Sequence, residues 1–325
     1  MGLPVPMPKT FEIKDGRQTG LRASGLQSGV FAGTLALTML WVIGQIARDW
    51  TWLTGLCFYI PSPFLAALLF VSAVFHFACR RRRTGALFAC LALLSLCVVL
   101  FAENRFCVVR PSVTPGTVRL VHWNVGGRMS SRAQNVLLGK RAQVYVLSEI
   151  PGAESVDKLR AALGPEYRSV VFGNLAVIAA GDVKASGWLV DRRRMKAQLV
   201  TWMRAGEAIQ LLVVDLPSEI DVHRDPLLRE INRLIEQHQP DLVVGDFNAP
   251  RRSRALCELP DGYRHAYDTA GAGWGYSWPV PVPMYALDQC LYSSKIIPAR
   301  YELESSISSD HRLQVFDFGL ATISR

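Results

Sequence analysis

The stretch Leu242-Val243-Val244-Gly245-Asp246-Phe247-Asn248 decides the reading of this chain. Its first half is strand-forming, and its end carries a carboxylate and an amide two positions apart, which an extended backbone turns to the same side. Ser309-Asp310-His311 follows about sixty residues later, just ahead of another strand-like run. Carboxylates bind a hard cation, an amide orients a phosphate oxygen without adding negative charge, and a histidine stabilises or protonates a pentavalent phosphorus centre. Acid, amide and imidazole at strand ends therefore point to metal-assisted phosphoester chemistry.

Around this stretch, the pattern from Val118 reads strand, helix, strand: Val118 to Trp123, a polar helical segment Ser131 to Gly139, and Val144 to Leu147. Further strands are expected at Ser169 to Phe172, Ala176 to Ala180, Gly187 to Val190, Ala197 to Met203, Ile209 to Val214, Leu242 to Gly245, Ala286 to Leu291 and Leu313 to Phe318. Helices fit Ser155 to Leu163 and Pro226 to Gln237. In the second, Leu227, Leu228, Ile231, Leu234 and Ile235 recur on one face, Pro226 suits the first turn and Asp225 is available as an N-cap. Many strands with a few helices between them predict an α/β fold, a two-sheet sandwich flanked by helices, over residues 117–325.

Apolar residues make up 50% of the 325-residue chain and its mean hydropathy is positive, which places part of it in lipid. Gly29 to Ala47, Trp52 to Cys79 and Gly85 to Ala102 qualify; the first and third carry no charge and match a hydrocarbon core of ~30 Å at a rise of ~1.5 Å per residue. Pro61 and Pro63 interrupt the second, so Trp52 to Ile60 reads as an interfacial or kinked lead-in, with Trp50, Trp52 and Tyr59 as belt aromatics, and Pro63 to Cys79 as the main span. The expected order is a basic cytoplasmic segment 1–27, three transmembrane helices within 28–102, a linker 103–116 containing Pro111 and Pro115, and the sandwich. A cleaved leader is disfavoured, because the first apolar stretch starts late and lacks a small-residue cleavage site. Lys9, Lys14, Arg17 and Arg22 before the first span, and the Arg80 to Arg83 block before the third, set those sides as cytoplasmic. The chain is thus expected in the cytoplasmic membrane, multi-pass, with its C-terminal domain extracytoplasmic. A transporter is disfavoured because the spans hold no ionisable Asp, Glu, Lys or Arg, and only Thr34, Thr38 and Gln45 supply polar groups to the first.

The net charge of +9 divides unevenly, with +7 on residues 1–116 and +2 on residues 117–325. The nearly neutral C-terminal part lacks the electrostatics of a non-specific polyanion binder. Two basic runs, Arg192 to Arg194 with Lys196 and Arg251, Arg252 with Arg254, are either solvated faces or anion-recognition groups, and the second follows Asp246 closely enough to rim a cleft. Trp274, Tyr276 and Trp278 suit an aromatic wall or a packed loop anchor. Cys57, Cys79, Cys90 and Cys97 belong to the apolar region, and pairing of Cys257 with Cys290 is left open.

Five pieces occur in one order: Trp123-Asn124, Ser148-Glu149, Gly245 to Asn248, Leu287-Asp288 and Ser309-Asp310-His311. On these pieces the chain resembles the endonuclease/exonuclease/phosphatase superfamily over roughly residues 117–320. The resemblance implies Glu149 as principal ligand of Mg²⁺ (Mn²⁺ being the alternative ion), Asn124 as a metal or phosphate ligand and Asp310 beside the metal. It implies Asp246 as the group that orients or deprotonates water, Asn248 as holder of a phosphate oxygen, His311 as the imidazole at the phosphoryl group and Asp288 as its support. Many members carry a histidine as leaving-group acid after the strand corresponding to Ile209 to Val214, where this chain has Asp215; His223 lies a few residues on. A carboxyl group does acid work there only with a raised pKa. His122 is assigned to the core or to support of the site.

The expected activity is hydrolysis of a phosphodiester or phosphomonoester by in-line attack of water, on a lipid headgroup, nucleotide or nucleic acid. The lipid bilayer is the expected partner, and no obligate protein partner is implied. The rival reading is a catalytically inactive, membrane-tethered binding module of the same fold.

Overall fold

The computed structural model describes residues 16–106, 116–192 and 195–321. Four helices come first: α1 (Gly16–Ala47), α2 (Trp52–Phe58), α3 (Ser62–Ala78) and α4 (Arg82–Cys97), the last continuing as a π-helical turn over Val98–Glu103. Gly25–Ala47 of α1 and Arg82–Glu103 are long and apolar enough to cross a membrane, and α2 with α3 is apolar enough as a pair but bent by 59°. The bend falls at the Pro61 break. Thr51 and Thr54 form a reciprocal capping box that starts α2 independently of α1. Gly44 is required where these helices meet, since a Cβ there would sit 2.4 Å from the Cys57 and Phe58 backbone. Trp41, Leu65, Leu69 and Phe88 pack the helices together, and Thr34 hydrogen-bonds Ser72 at 3.0 Å across them.

The remaining chain forms β1 (Val118–Asn124), α5 (Ser131–Lys140), β2 (Val144–Ser148), α6 (Ala153–Leu163), β3 (Tyr167–Phe172), β4 (Leu175–Ala180), β5 (Asp182–Arg192), β6 (Met195–Arg204), β7 (Glu207–Asp215), α7 (Asp225–His238), β8 (Leu242–Asp246), α8 (Arg254–Cys257), β9 (Arg264–His265), α9 (Ala266–Ala270), β10 (Asp288–Tyr292), β11 (Ile296–Glu304) and β12 (Leu313–Leu320). Among the described residues the strands make two six-stranded sheets, in the orders β11-β12-β1-β2-β4-β3 and β5-β6-β7-β8-β10-β9. β1 runs parallel to β2 and β7 parallel to β8, while the other pairs are antiparallel. The sandwich is the expected one.

Central strands are apolar on both faces because each face meets a different layer. On β1, Val118 and Leu120 enter the core between the sheets, while Val121 and Trp123 pack under α5 and α6. On β8, Leu242 and Val244 face that same inter-sheet core, while Val243 packs under α7 and α8. Fully buried Trp123, Trp202, Tyr145, Phe316 and Phe318 anchor these layers, each worth roughly 2–3 kcal/mol of transfer free energy at full burial.

Several local expectations change. α7 begins at Asp225 with Arg224 in the cap position, and the Asp225 carboxylate binds Arg229 at 2.8 Å instead of capping. The residues expected to open the linker are docked: the Asn104 side chain accepts from the Gly275 N–H at 2.6 Å, and Arg105 bridges to Gly273; residues 107–115 lie outside the described residues. Cys257 is exposed and Cys290 buried, and both are free thiols.

The parallel β7–β8 contact leaves no room for a side chain at Gly245, where a Cβ would lie 1.8 Å from the Val214 carbonyl oxygen. Gly245→Ala is expected to cost on the order of 3 kcal/mol or more in chemical denaturation, at the upper end of overpacking. Gly206→Ala, at positive φ but facing open space, should cost only about 1–2 kcal/mol; equal losses at the two positions would remove the role given to Gly245.

Candidate active site

The alternation that buries the inter-sheet core also delivers the polar residues. Asn124 follows Val118 and Leu120 by twos on β1, Asp246 follows Leu242 and Val244 on β8, and Asp288 precedes Cys290 and Tyr292 on β10. All three therefore point between the sheets at one end of the sandwich. Asp246 pairs in register with Asp288 on one side and Asp215 on the other.

Asn124 lies between two carboxylates. Its Nδ2 donates to Glu149 Oε1 at 3.0 Å and to Asp246 Oδ2 at 2.9 Å, and its Oδ1 accepts from the Gly126 N–H at 2.9 Å. Glu149 leaves β2 with φ +52°, a left-handed conformation rare for glutamate and of the kind found at functional sites. Asn248 has φ +44°; its N–H donates to Asp246 Oδ1 at 2.9 Å and its Nδ2 to the Leu216 carbonyl at 2.8 Å.

His311 sits between two aspartates. Its Nδ1 lies 2.9 Å from Asp288 Oδ2 and its Nε2 3.8 Å from Asp246 Oδ2. Ligand atoms of Asp246, Asp288 and His311 all lie within 4.8 Å of one another. Ser309 holds this loop, donating to the Asn124 carbonyl at 2.7 Å and accepting from the His311 N–H at 3.0 Å. Asp310 is exposed, and its Oδ2 accepts from Trp278 Nε1 at 2.8 Å. Behind Asp288 lies fully buried His122, its Nε2 3.1 Å from Ser148 Oγ and its Nδ1 3.8 Å from Asp288 Oδ1.

Burial alone would discharge His311, but the Asp288 charge and hydrogen bond, helped by Asp246 and Asp310, hold its pKa up at about 10. Burial and the Asp288 charge raise the Asp246 carboxyl above the usual range against the opposing pull of His311 and Asn124. Burial also works against an ionised Asp288, yet His311 overrides it and keeps that carboxyl low. Burial lowers His122 to about 4, so it stays neutral.

Glu149, Asp246, Asn248, Asp310 and His311 line a cavity of about 560 Å³, within the ~300–1,000 Å³ usual for small-molecule sites. Of the eight side chains singled out in the sequence, seven are thus brought together: these five, plus Asn124 and Asp288 directly behind them. Asp215 stands apart. Its Oδ2 accepts from Asn174 Nδ2 at 3.0 Å, Lys196 lies beside it, burial raises its pKa, and it is not among the cavity-lining residues. His223 does line the cavity, with Nε2 donating to the Asp49 carbonyl at 2.8 Å.

The second basic run does not rim the cleft. Arg251 stacks on Tyr267 and donates to the Glu103 carbonyl, Arg252 reaches Glu103 and Gln45, and the Arg254 N–H donates to Asp49, so the run ties the sandwich to the helices. Arg193 and Arg194 lie outside the described residues. Of the three spaced aromatics, Trp278 lines the cavity, while Trp274 and Tyr276 pack edge to face nearby. The sequence reading missed α2 as a wall of the cavity. Trp52, Gly55, Leu56 and Tyr59 line it, the Tyr59 hydroxyl donates to the Asn248 carbonyl at 3.1 Å, and Tyr285 donates to the Tyr59 carbonyl at 2.9 Å. A contact between residues 189 positions apart leaves no local pattern to read.

Two mixed sheets, flanking helices and an acid–amide–imidazole cluster between the sheet ends define the scaffold of phosphoester hydrolases. The chain belongs to the Endonuclease/Exonuclease/phosphatase family, which it matches over residues 121–311. Among solved structures it is similar to a humanized D. rerio TDP2, with 18% identity, 62% of this chain and 99% of that chain covered and a TM-score of 0.51. It is also similar to the human Nocturnin catalytic domain (15% identity, 64% and 96% covered, TM-score 0.48) and to the mannosyl-6-phosphatase Bt3783 of Bacteroides thetaiotaomicron (11% identity, 62% and 100% covered, TM-score 0.49). Of these likenesses, the first speaks to the fold alone. No curated protein matches the chain.

The His311–Asp288 pair has a testable pH signature in metal-free protein. A histidine raised from 6.5 to about 10 contributes its full stabilisation below pH 6.5 and loses it as pH rises through about 10. NMR of ring-labelled histidine is expected to show His311 still protonated at pH 8, and Asp288→Asn should bring its titration back toward neutrality. A wild-type midpoint near 6.5 would contradict the pairing.

Proposed function

We propose that this chain is a membrane-anchored, metal-dependent phosphoesterase that hydrolyses its substrate by in-line attack of water. The observation that carries this reading is the linkage Glu149–Asn124–Asp246, with His311 held by Asp288, opening on one cavity. Glu149 and Asp310 present hard oxygen donors at the cavity surface, a set that suits Mg²⁺ or Mn²⁺. A bound divalent ion would polarise the phosphoryl group and acidify water. The Asp246, Asp288 and His311 cluster suits a metal less well, because a protonated imidazole has no lone pair to offer.

Asp246, with its raised pKa, is the base that takes a proton from water as the water oxygen bonds phosphorus; the phosphorus–oxygen bond to the leaving alkoxide breaks, and that oxygen takes its proton from solvent water. Cationic His311 stabilises the negative charge that builds on the phosphoryl oxygens, and Asp288 fixes its orientation. Asn124 keeps Asp246 and Glu149 apart by donating to both, and Asn248 supports the backbone around Asp246. Held by Asn174 and set outside the cavity lining, Asp215 is not the leaving-group acid in this reading. The rival reading, a non-catalytic tethered binding module, draws on that missing acid.

The intact chain in detergent with bis-p-nitrophenyl phosphate and Mg²⁺ separates the two readings. Turnover that EDTA abolishes and Mg²⁺ restores is expected, with Glu149→Ala and His311→Ala each lowering kcat/KM by about 10²–10⁴-fold. No turnover across phosphodiester and phosphomonoester panels would favour the binding module.

The apolar helices and the arginine block motivate the extracytoplasmic placement of the domain. Alkaline phosphatase fused after Arg325 should be active in cells and the same reporter fused after Arg81 inactive; the opposite pattern would invert the topology.

A further inference from the structure

We infer that the cavity takes a phosphoester carried on a hydrocarbon anchor and presented from the bilayer, with the phosphate at Asp246 and His311 and the chain lying along α2. This inference rests on the phosphoesterase reading above and specifies its substrate class.

The cavity lining combines the polar cluster with apolar side chains. Facing the carboxylates and imidazole are Trp52 and Leu56 of α2, and Ile220 and Val222 of the loop between β7 and α7. α2 belongs to the bent hairpin between apolar helices, so this wall of the site is membrane-region chain brought against the catalytic cluster. The junction is fixed at several points. Asp49 accepts from the Arg254 N–H at 2.7 Å, Trp52 Nε1 donates to the Ile220 carbonyl at 3.2 Å, and Tyr59 reaches Asn248. Part of the cavity lining is therefore supplied by the chain between the end of α1 and the start of α3.

Large apolar side chains on the same two segments, far apart in sequence, are left in the open. Leu53 of α2 is 66% exposed, Trp50 just before α2 is 63% exposed, and Ile220 on the sandwich side is 79% exposed. In water this arrangement costs free energy at roughly 25 cal/mol per Å² of apolar surface, whereas against acyl chains it stabilises the docked state. A tryptophan-bearing surface beside membrane helices is an interfacial one.

Charge argues against a highly anionic, water-soluble substrate. Among the described lining residues the sole arginine or lysine is Arg224, and it is buried with its guanidinium donating to the Val222 and Pro217 carbonyls at 2.8 and 2.7 Å. Such a lining suits one phosphoester group next to an apolar chain better than a run of phosphates.

The test compares two esters of identical chemistry, p-nitrophenyl methyl phosphate and p-nitrophenyl hexadecyl phosphate, with the intact chain in mixed micelles and Mg²⁺. p-Nitrophenolate departs without protonation, so the comparison does not depend on a leaving-group acid. The hexadecyl ester is expected to be favoured at least tenfold in kcat/KM. Ile220→Asp, at an exposed position, and Leu56→Asn should each reduce that preference at least fivefold, while Glu149→Gln silences both esters. Equal kcat/KM for the two esters, or a preference unchanged in both variants, would overturn the inference and leave the phosphoesterase reading standing. Absence of turnover of both esters by the wild type would overturn the inference, and would overturn the phosphoesterase reading as well where phosphomonoesters are also left intact.

Discussion

The amide of Asn124 joins the two sheets where they would otherwise repel. Asp246 from one sheet and Glu149 from the other both need a neutral donor between them, and a single Nδ2 supplies it to both. Without it, two carboxylates would face each other in a half-buried space, where their repulsion is only weakly screened. With it, the ends of β1, β2 and β8 close on one another. The loop carrying His311 is fastened to the same place, because Ser309 donates to the Asn124 carbonyl.

The site is an extension of the core. Leu242 and Val244 bury apolar surface between the sheets, and the same two-residue period then aims Asp246 into that layer at its open end. β1 and β10 repeat the pattern with Asn124 and Asp288. The price is a set of charged groups taken out of water, offset by mutual pairing: Asp288 holds His311 and His311 in turn tempers Asp246. Exposure rises outward, from buried Asn124, Asp246 and Asp288 through half-buried Glu149 and Asn248 to exposed Asp310.

Much of the fold was legible because the central strands carry continuous apolar runs and α7 carries a strong one-sided repeat. What escaped lies at the edges. β11 contains Pro298 with Arg300, Glu302 and Glu304, residues that disfavour a strand in isolation yet suit a sheet margin, and its register shifts between Pro298 and Arg300. β5 was read only as Gly187 to Val190 because its pairing shifts between Ala185 and Trp188, breaking the alternation. The polar cluster was visible as motifs at strand ends. Asp215 was legible as a candidate too, but its direction depends on Asn174 and Lys196, which no spacing rule connects to it. The part played by α2 depends on tertiary packing alone.

That packing has a consequence for how the protein can be handled. The Tyr59 hydroxyl reaches the backbone of Asn248, and Tyr285 reaches back to Tyr59. A shortened fragment beginning at Val118 would retain every side chain of the polar cluster, yet one side of its pocket would be stripped away and the Asn248 turn would lose a support. Such a fragment would be an unroofed version of the molecule, with a pocket that differs from that of the intact chain.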